Sequence, residues 1–193
     1  MSERLACMVT DFLLRKKVIE KKDSEIYYYG YDMLFSGVLQ SLLLFVVGWA
    51  FGKLDVTIVF VAVFITLRGC TGGYHADTRM GCIVTTLFVY LFVLCACTKG
   101  TFLFKELVSI ILLIVFYEIS FIRYAPVEHK GKPLSKEQKN QNKKTGGVLS
   151  AIYSIIAVLL YNSMISISIS IVMTMVCVAV LMIIQKGGRK CQD

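Results

Sequence analysis

Long apolar segments alternate with short polar ones along this chain of 193 residues. The charged residues gather at the N-terminus, in residues 123–144 and at the C-terminus, and the segments between them carry almost no charge. An α-helix needs about 20 apolar residues to cross a bilayer core of about 30 Å. The pattern therefore predicts an all-α polytopic membrane protein whose six transmembrane helices span residues 33–52, 54–67, 82–98, 101–122, 146–161 and 164–184.

Two of these segments depart from the simple pattern. The second is short for a bilayer, so it is expected to continue into the loop that follows it. The sixth contains Ile165-Ser166-Ile167-Ser168-Ile169, an alternation that is typical of a β-strand. A lone strand cannot satisfy its backbone hydrogen bonds in lipid, so a helix is predicted here as well.

Residues 1–32 are predicted to form an amphipathic, interfacial N-terminus. Leu5, Met8 and Phe12 fall on one face of a helix over residues 4–22. Basic residues that follow this face can meet anionic headgroups, and a solvated helix that caps the bundle is the alternative. Four tyrosines then form an aromatic belt of the kind found at membrane interfaces: Tyr27, Tyr28, Tyr29 and Tyr31.

Composition supports one integral membrane domain over residues 1–193, without a repeat. Hydrophobic residues make up 56% of the chain and charged residues 18%, against about a quarter charged in soluble domains. A net charge of +8 is compatible with nucleic-acid binding, but in a membrane protein it reports cytoplasmic loops. No nucleic-acid partner is therefore expected.

The distribution of basic residues predicts the topology. With a cytoplasmic N-terminus and six spans, all but three of the 21 lysines and arginines fall on the cytoplasmic side. Both termini and the loop at residues 68–82 are then cytoplasmic, in a cell membrane, where thiols stay reduced. The seven cysteines show no paired framework, and no cleavable signal peptide is evident.

The loop at residues 68–82 is the candidate catalytic site. It is polar and glycine-rich, holds His75, one of only two histidines, and ends at Cys82, where the third span begins. A thiol reacts as its thiolate, which a helix N-terminus and a nearby base both favour. The sequence thus predicts a nucleophile, Cys82, and a base, His75.

Geometry constrains this dyad. Residues seven apart on one straight helix are separated by about 10 Å along its axis, too far for a hydrogen bond. We therefore expect a turn near Thr78–Gly81 that folds His75 back onto Cys82. Arg68 and Arg79 are expected to offset the cost of desolvating the thiolate, and Gly72 and Gly73 to let the backbone approach a substrate closely. Backbone amides around Cys82 can form an oxyanion hole, and Asp77 is the candidate for orienting His75.

Other interpretations of the same residues stay open. A lone histidine and cysteine in one loop can be chance neighbours. Cys70, His75 and Cys82 can also bind zinc with His129 as a fourth ligand, although the spacing matches no standard zinc site, so no metal and no cofactor is predicted. Farther along, Glu118 and Arg123 at the end of the fourth span are expected to pair.

Arg68, the run Gly72-Gly73-Tyr74-His75-Ala76 and Cys82 resemble the accessory gene regulator B (AgrB) family of membrane endopeptidases. This motif covers about fifteen residues. The chain length, the six apolar segments and a basic loop after the fourth extend the resemblance to nearly the whole chain.

The resemblance implies a thiol protease, a hydrolase that processes the precursor of a quorum-sensing autoinducing peptide in Gram-positive bacteria. Cys82 would attack the peptide bond before the precursor's C-terminal tail, with His75 as base, and leave an acyl-enzyme thioester. An internal cysteine or serine of the precursor would then close a thiolactone or lactone ring. The resemblance also implies a homodimer.

The basic loop at residues 123–145 suits such a substrate. Precursors of this class have an amphipathic N-terminal helix, which can lie on the bilayer, and an acidic tail. Lysines in the loop can hold the tail, or they can only set topology and contact lipid: Lys130, Lys132, Lys136, Lys139, Lys143 and Lys144.

Two other function classes compete with the peptidase. A small transporter that exports a peptide is the main alternative, but intramembrane polar groups are sparse and no inverted repeat is visible. A scaffold without chemistry is the other, and the concentration of Gly, His and Cys in one loop argues against it.

Overall fold

The computed structural model of the protein describes residues 2–72, 79–99, 106–127 and 135–190. Apart from one isolated bridge, the described residues form helices and short turns. The helices are α1 (Ser2–Arg15), α2 (Ser24–Ala50), α3 (Leu54–Thr71), α4 (Arg79–Lys99), α5 (Leu107–Tyr124), α6 (Lys136–Leu160) and α7 (Ile165–Lys190).

Six of these helices, α2 to α7, are long and apolar enough to cross a membrane. Their order and number match the six predicted spans, and an amphipathic helix, α1, precedes them. The predicted all-α, polytopic fold class is confirmed.

The first 51 residues form a compact unit made of α1 and α2. Ala6 and Thr10 are buried, and the Thr10 hydroxyl donates to the Ala6 carbonyl at 2.8 Å. The apolar side chains of Leu5, Met8 and Phe12 are exposed, so the predicted amphipathic face is not covered by α2. The four tyrosines of the belt lie near the start of α2.

The second unit, which starts at Gly52, is organised around α7. The apolar window of α7 is 72% buried, against 17–39% for the windows of α3, α4, α5 and α6. The Ile-Ser alternation is helical, as predicted. Ser168 donates to the Ala157 carbonyl of α6 at 2.7 Å, and Ser170 to the Val56 carbonyl of α3 at 3.4 Å.

Serines on opposite faces of α7, each bonded to a different neighbouring helix, explain the alternation of isoleucine and serine. Residues two apart on a helix point in roughly opposite directions, about 200° around the axis. Because α7 contacts neighbours on all sides, small hydroxyl residues on opposite faces let both neighbouring backbones approach closely. A pattern typical of a strand thus serves a helix that is enclosed by other helices.

Two predicted loops are shorter in the structure than the sequence suggests. Residues 68–71 and 79–82 are helical, so the loop predicted at 68–82 is shorter. The physical reason is length, since the 18 residues of α3 extend for about 27 Å and fourteen residues would reach only about 21 Å.

The basic loop predicted at residues 123–145 also contains helix, because α6 begins at Lys136. A capping box starts α6. The backbone N–H of Gln138 donates to the Ser135 hydroxyl at 3.2 Å, and the backbone N–H of Ser135 donates to the side-chain oxygen of Gln138 at 3.0 Å. The polar first turns of α6 lack an apolar stripe, which is why hydropathy alone missed them.

Candidate active site

The candidate loop joins the end of α3 to the start of α4. Cys82 is the fourth residue of α4 and is half-buried. Gly81 is also helical, and its carbonyl accepts a hydrogen bond from Thr85 at 2.8 Å. The turn predicted near Thr78–Gly81 is therefore wrong for residues 79–81, because the helix has already begun there.

The position of Cys82 has a chemical consequence. The first turn of a helix directs its backbone N–H groups toward the N-terminal end, which favours negative charge there. A thiolate at Cys82 would lie at this end of α4. The thiol is also partly accessible, which a nucleophile requires.

Three predicted site residues, Gly73, His75 and Asp77, lie outside the described residues. The dyad and the orientation of His75 by Asp77 therefore stay predictions. Among the described residues, no group of three potential His, Cys, Asp or Glu ligands forms a metal site. His75 and His129, which the zinc interpretation needs, are not described.

Arg68 lies in the last turn of α3 and is half-buried. Its guanidinium lies over the ring of Phe64, one turn earlier, at 5.2 Å from the ring centroid. Its carbonyl accepts the Gly72 amide at 3.0 Å. Arg68 is thus placed at the end of the helix that leads into the candidate loop.

Gly72 ends α3 in a conformation that requires glycine. Its φ is +69°, in the region that L side chains rarely adopt. It also forms a parallel bridge with Val127, whose amide donates to the Thr71 carbonyl at 2.8 Å. A Cβ at position 72 would overlap the Val127 carbonyl oxygen. The close approach predicted for Gly72 is made to the chain's own backbone.

Val127 lies beside the candidate loop, and the sequence gives no direct sign of this. Pro126 gives a partial signal, because it ends α5 and favours an extended residue before it. Ala125 is indeed extended, with φ −80° and ψ 147°. Nothing in the sequence identifies Thr71 and Gly72 as the partners of this extended segment.

A tight three-helix contact lies beside this bridge. Gly146 of α6 is buried, and a Cβ there would lie 3.2 Å from the Cys70 Cβ and 3.0 Å from the Phe121 ring. The end of α3 is thus held by backbone hydrogen bonds after α5 and by close packing against α5 and α6.

The predicted pair of Glu118 with Arg123 is wrong. Glu118 accepts hydrogen bonds from Ser150 at 3.2 Å and Ser154 at 3.3 Å, both on α6. Residues five apart lie about 140° apart around a helix, so the two side chains diverge. The Arg123 guanidinium lies over the Tyr124 ring instead, at 5.9 Å.

The basic candidates are only partly described. Lys130 and Lys132 lie outside the described residues, whereas Lys136, Lys143 and Lys144 are exposed and Lys139 is half-buried. Positions 136, 139 and 143 fall within about 60° of one another on α6 and so share one face. The Lys186 ammonium, near the end of α7, lies 5.1 Å from the centroid of the Tyr124 ring, which ends α5.

The fold and site together define a multi-pass membrane protein with a partly accessible thiol in the first turn of one spanning helix. The family model for accessory gene regulator B matches residues 6–184. The chain therefore belongs to the accessory gene regulator B family, whose function lies in quorum sensing.

Individual relatives agree with this assignment. The chain is 25% identical to an AgrB-like protein of Clostridium perfringens strain SM101 over 173 residues, which cover 85% of this chain and 80% of the relative. It is 31% identical to an AgrB-like protein of Clostridium acetobutylicum over 144 residues, 72% and 68% of the two chains. It is similar to protein FsrB of Enterococcus faecalis, with 30% identity over 120 residues, 60% and 48%. No solved structure matches the chain.

Proposed function

We propose that this protein is a membrane cysteine endopeptidase that removes the C-terminal tail of a quorum-sensing propeptide and promotes its cyclisation. The observation that carries the proposal is the placement of Cys82, half-buried in the first turn of α4 directly after the loop with the family motif. A thiol at a helix N-terminus with partial access has the surroundings of a reactive cysteine.

The reaction proceeds in two acyl transfers. The Cys82 sulfur attacks the carbonyl carbon of the scissile peptide bond, and His75 takes the thiol proton and gives it to the leaving amine. The tail departs, and a thioester joins the signal segment to Cys82. A cysteine or serine of the precursor then attacks the thioester carbonyl, His75 takes the proton of the attacking group and returns it to the Cys82 sulfur, and this sulfur leaves. No metal or cofactor is needed for either transfer.

Substrate binding follows from charge and topology. The excess of basic residues supports a candidate site on the cytoplasmic face, where a precursor with an amphipathic helix would lie on the inner leaflet. Lysines of the basic segment, from Lys130 to Lys144, attract the acidic tail. A homodimer is the proposed working form.

A reconstituted reaction tests the function. Purified protein in liposomes is mixed with a candidate precursor, and tail release and ring closure are followed by mass spectrometry. Cys82→Ala and His75→Ala should each remove tail release, with a loss of at least about 10³-fold, while the proteins stay folded. Export of uncut precursor, equal in wild type and both variants, would instead favour the transporter.

A further inference from the structure

The backbone bridge at the end of α3 lies where the chain enters the segment that carries His75. The bridge consists of the hydrogen bond from the Val127 amide to the Thr71 carbonyl and of the contact between Gly72 and Val127. Thr71 is fully buried and Val127 is 7% exposed, so water does not compete for this hydrogen bond. Such a bond resists opening more than one at an exposed helix end.

The bridge fixes both the position and the direction of the chain. At φ +69°, Gly72 turns the backbone out of the helix, and the carbonyl of Val127 occupies the space where a side chain would lie. Directly before it, Cys70 packs against Gly146. The chain thus leaves α3 from a point held on two sides, and seven residues after Gly72 α4 begins with the turn that holds Cys82.

We propose that this bridge sets the position of the His75 segment relative to Cys82, so that Gly72 and Val127 are positioning residues for the reaction at the thiol. The inference rests on the proposed function. A misplacement of about 1 Å in a catalytic group can lower a rate about 10²-fold. A bridge that holds the chain three residues before His75 controls displacements of that size.

Glycine offers a matched pair of variants. Gly72→Ala introduces a Cβ that overlaps the Val127 carbonyl at a positive φ, whereas Gly69→Ala, three residues earlier on the same helix, meets nothing within 4 Å. A second pair acts from the other side of the bridge. Val127→Pro removes the N–H that bonds Thr71, and Val127→Ala keeps it.

Two measurements separate positioning from folding. The first is the single-turnover rate of tail cleavage together with the affinity for precursor. Gly72→Ala and Val127→Pro should lower the rate about 10²-fold and leave affinity within threefold. Gly69→Ala should stay within threefold of wild type in both, and Val127→Ala should retain a rate at least tenfold above that of Val127→Pro.

The second measurement is the pH dependence of Cys82 alkylation by iodoacetamide, which needs no substrate. Gly72→Ala and Val127→Pro should shift the profile toward that of His75→Ala. When either is combined with His75→Ala, it should change the alkylation rate by less than about threefold, because the base it positions is gone.

Several outcomes would overturn the inference. Folded Gly72→Ala and Val127→Pro proteins with wild-type cleavage would do so, as would equally large effects on alkylation with and without His75. If neither variant folds, the bridge serves the fold and not the site, and the inference is likewise rejected. Failure of the proposed function looks different, since wild type would release no tail and His75→Ala would alkylate like wild type.

Discussion

The two ends of α4 carry cysteines in opposite surroundings. Cys82, in the first turn, is half-buried beside the candidate loop. Cys97, about 22 Å farther along the helix, is 1% exposed, and its sulfur lies 3.4 Å from the Ser166 carbonyl of α7. Cys97 is enclosed between helices, whereas Cys82 lies next to the candidate loop and is partly exposed.

The difference extends to the surrounding polar groups. Near Cys97 the hydroxyl groups form hydrogen bonds within the protein. The Thr57 and Tyr90 hydroxyls are hydrogen-bonded to each other at 2.7 Å, and Ser168 and Ser170 donate to backbone carbonyls of neighbouring helices. Near the candidate loop the chain is held by a backbone bridge and by glycine contacts, and the nearby cations of α6 are exposed. One end of α4 is thus tightly packed and internally hydrogen-bonded, whereas the other end leaves Cys82 partly exposed.

Thiol alkylation gives the largest expected contrast. A water-soluble iodoacetamide should modify Cys82 at least about 10³ times faster than Cys97 in the folded protein, because an enclosed thiol reacts only when the helices separate. The rate for each cysteine is read by peptide mass spectrometry. In denaturing detergent the two rates should agree within a few-fold, and equal rates before denaturation would refute the contrast.

The part of the fold that hydropathy controls could be predicted. The number, order and type of the spans follow from apolar length, and the helix at Ile165–Lys190 follows from backbone hydrogen bonding in lipid. The site could be predicted only as residue types in one loop. Cys82 was identified because a thiol, a histidine and glycines occur together.

Contacts between distant segments could not be predicted. The pairing of Gly72 with Val127 and the fit of Gly146 against Cys70 depend on how α3, α5 and α6 approach one another, which a single sequence does not encode locally. Glu118 illustrates the same limit. Its nearest opposite charge along the chain suggested an ion pair, but α6 supplies two serine hydroxyls from outside its own helix.

Packing at the loop end is tested by two adjacent glycines. Gly146→Ala should be less stable than Gly147→Ala by about 1–3 kcal/mol, because the new methyl at 146 lies 3.0–3.2 Å from Phe121 and Cys70, whereas the one at 147 lies 3.7 Å from Phe121. The gain in helix propensity is common to both and cancels. Free energies of unfolding come from SDS titration followed by circular dichroism. Equal stabilities would show that the three-helix contact relaxes freely.

Cohesion at the opposite end is tested by removing one hydroxyl. Tyr90→Phe should lower the free energy of unfolding by about 0.6 kcal/mol, the average for hydrogen bonds between membrane helices, and by no more than about 1.7 kcal/mol. The cost stays modest because the Thr57 hydroxyl keeps its bond to the Lys53 carbonyl at 2.8 Å. Tyr153→Phe, which breaks a more exposed pair with Thr66, is the control and should cost less. A larger loss for Tyr153→Phe would contradict the idea that the Cys97 end is the more cohesive.

The smallest expected effect is on KM, from removing the positive charges of α6 near the candidate loop. Lys136 and Lys143 lie on one exposed face of α6, so replacing both by glutamine should raise KM for the precursor two- to fivefold at low salt and leave kcat unchanged. Surface charges are screened within about 8 Å at physiological ionic strength, so the difference should vanish in 0.5 M salt. The control replaces Lys16 and Lys21 of the N-terminal unit by glutamine, which removes the same amount of charge and leaves α6 unchanged. If both pairs raise KM equally, the lysines act only through net charge at the membrane, and the loop end has no dedicated face for the acidic tail.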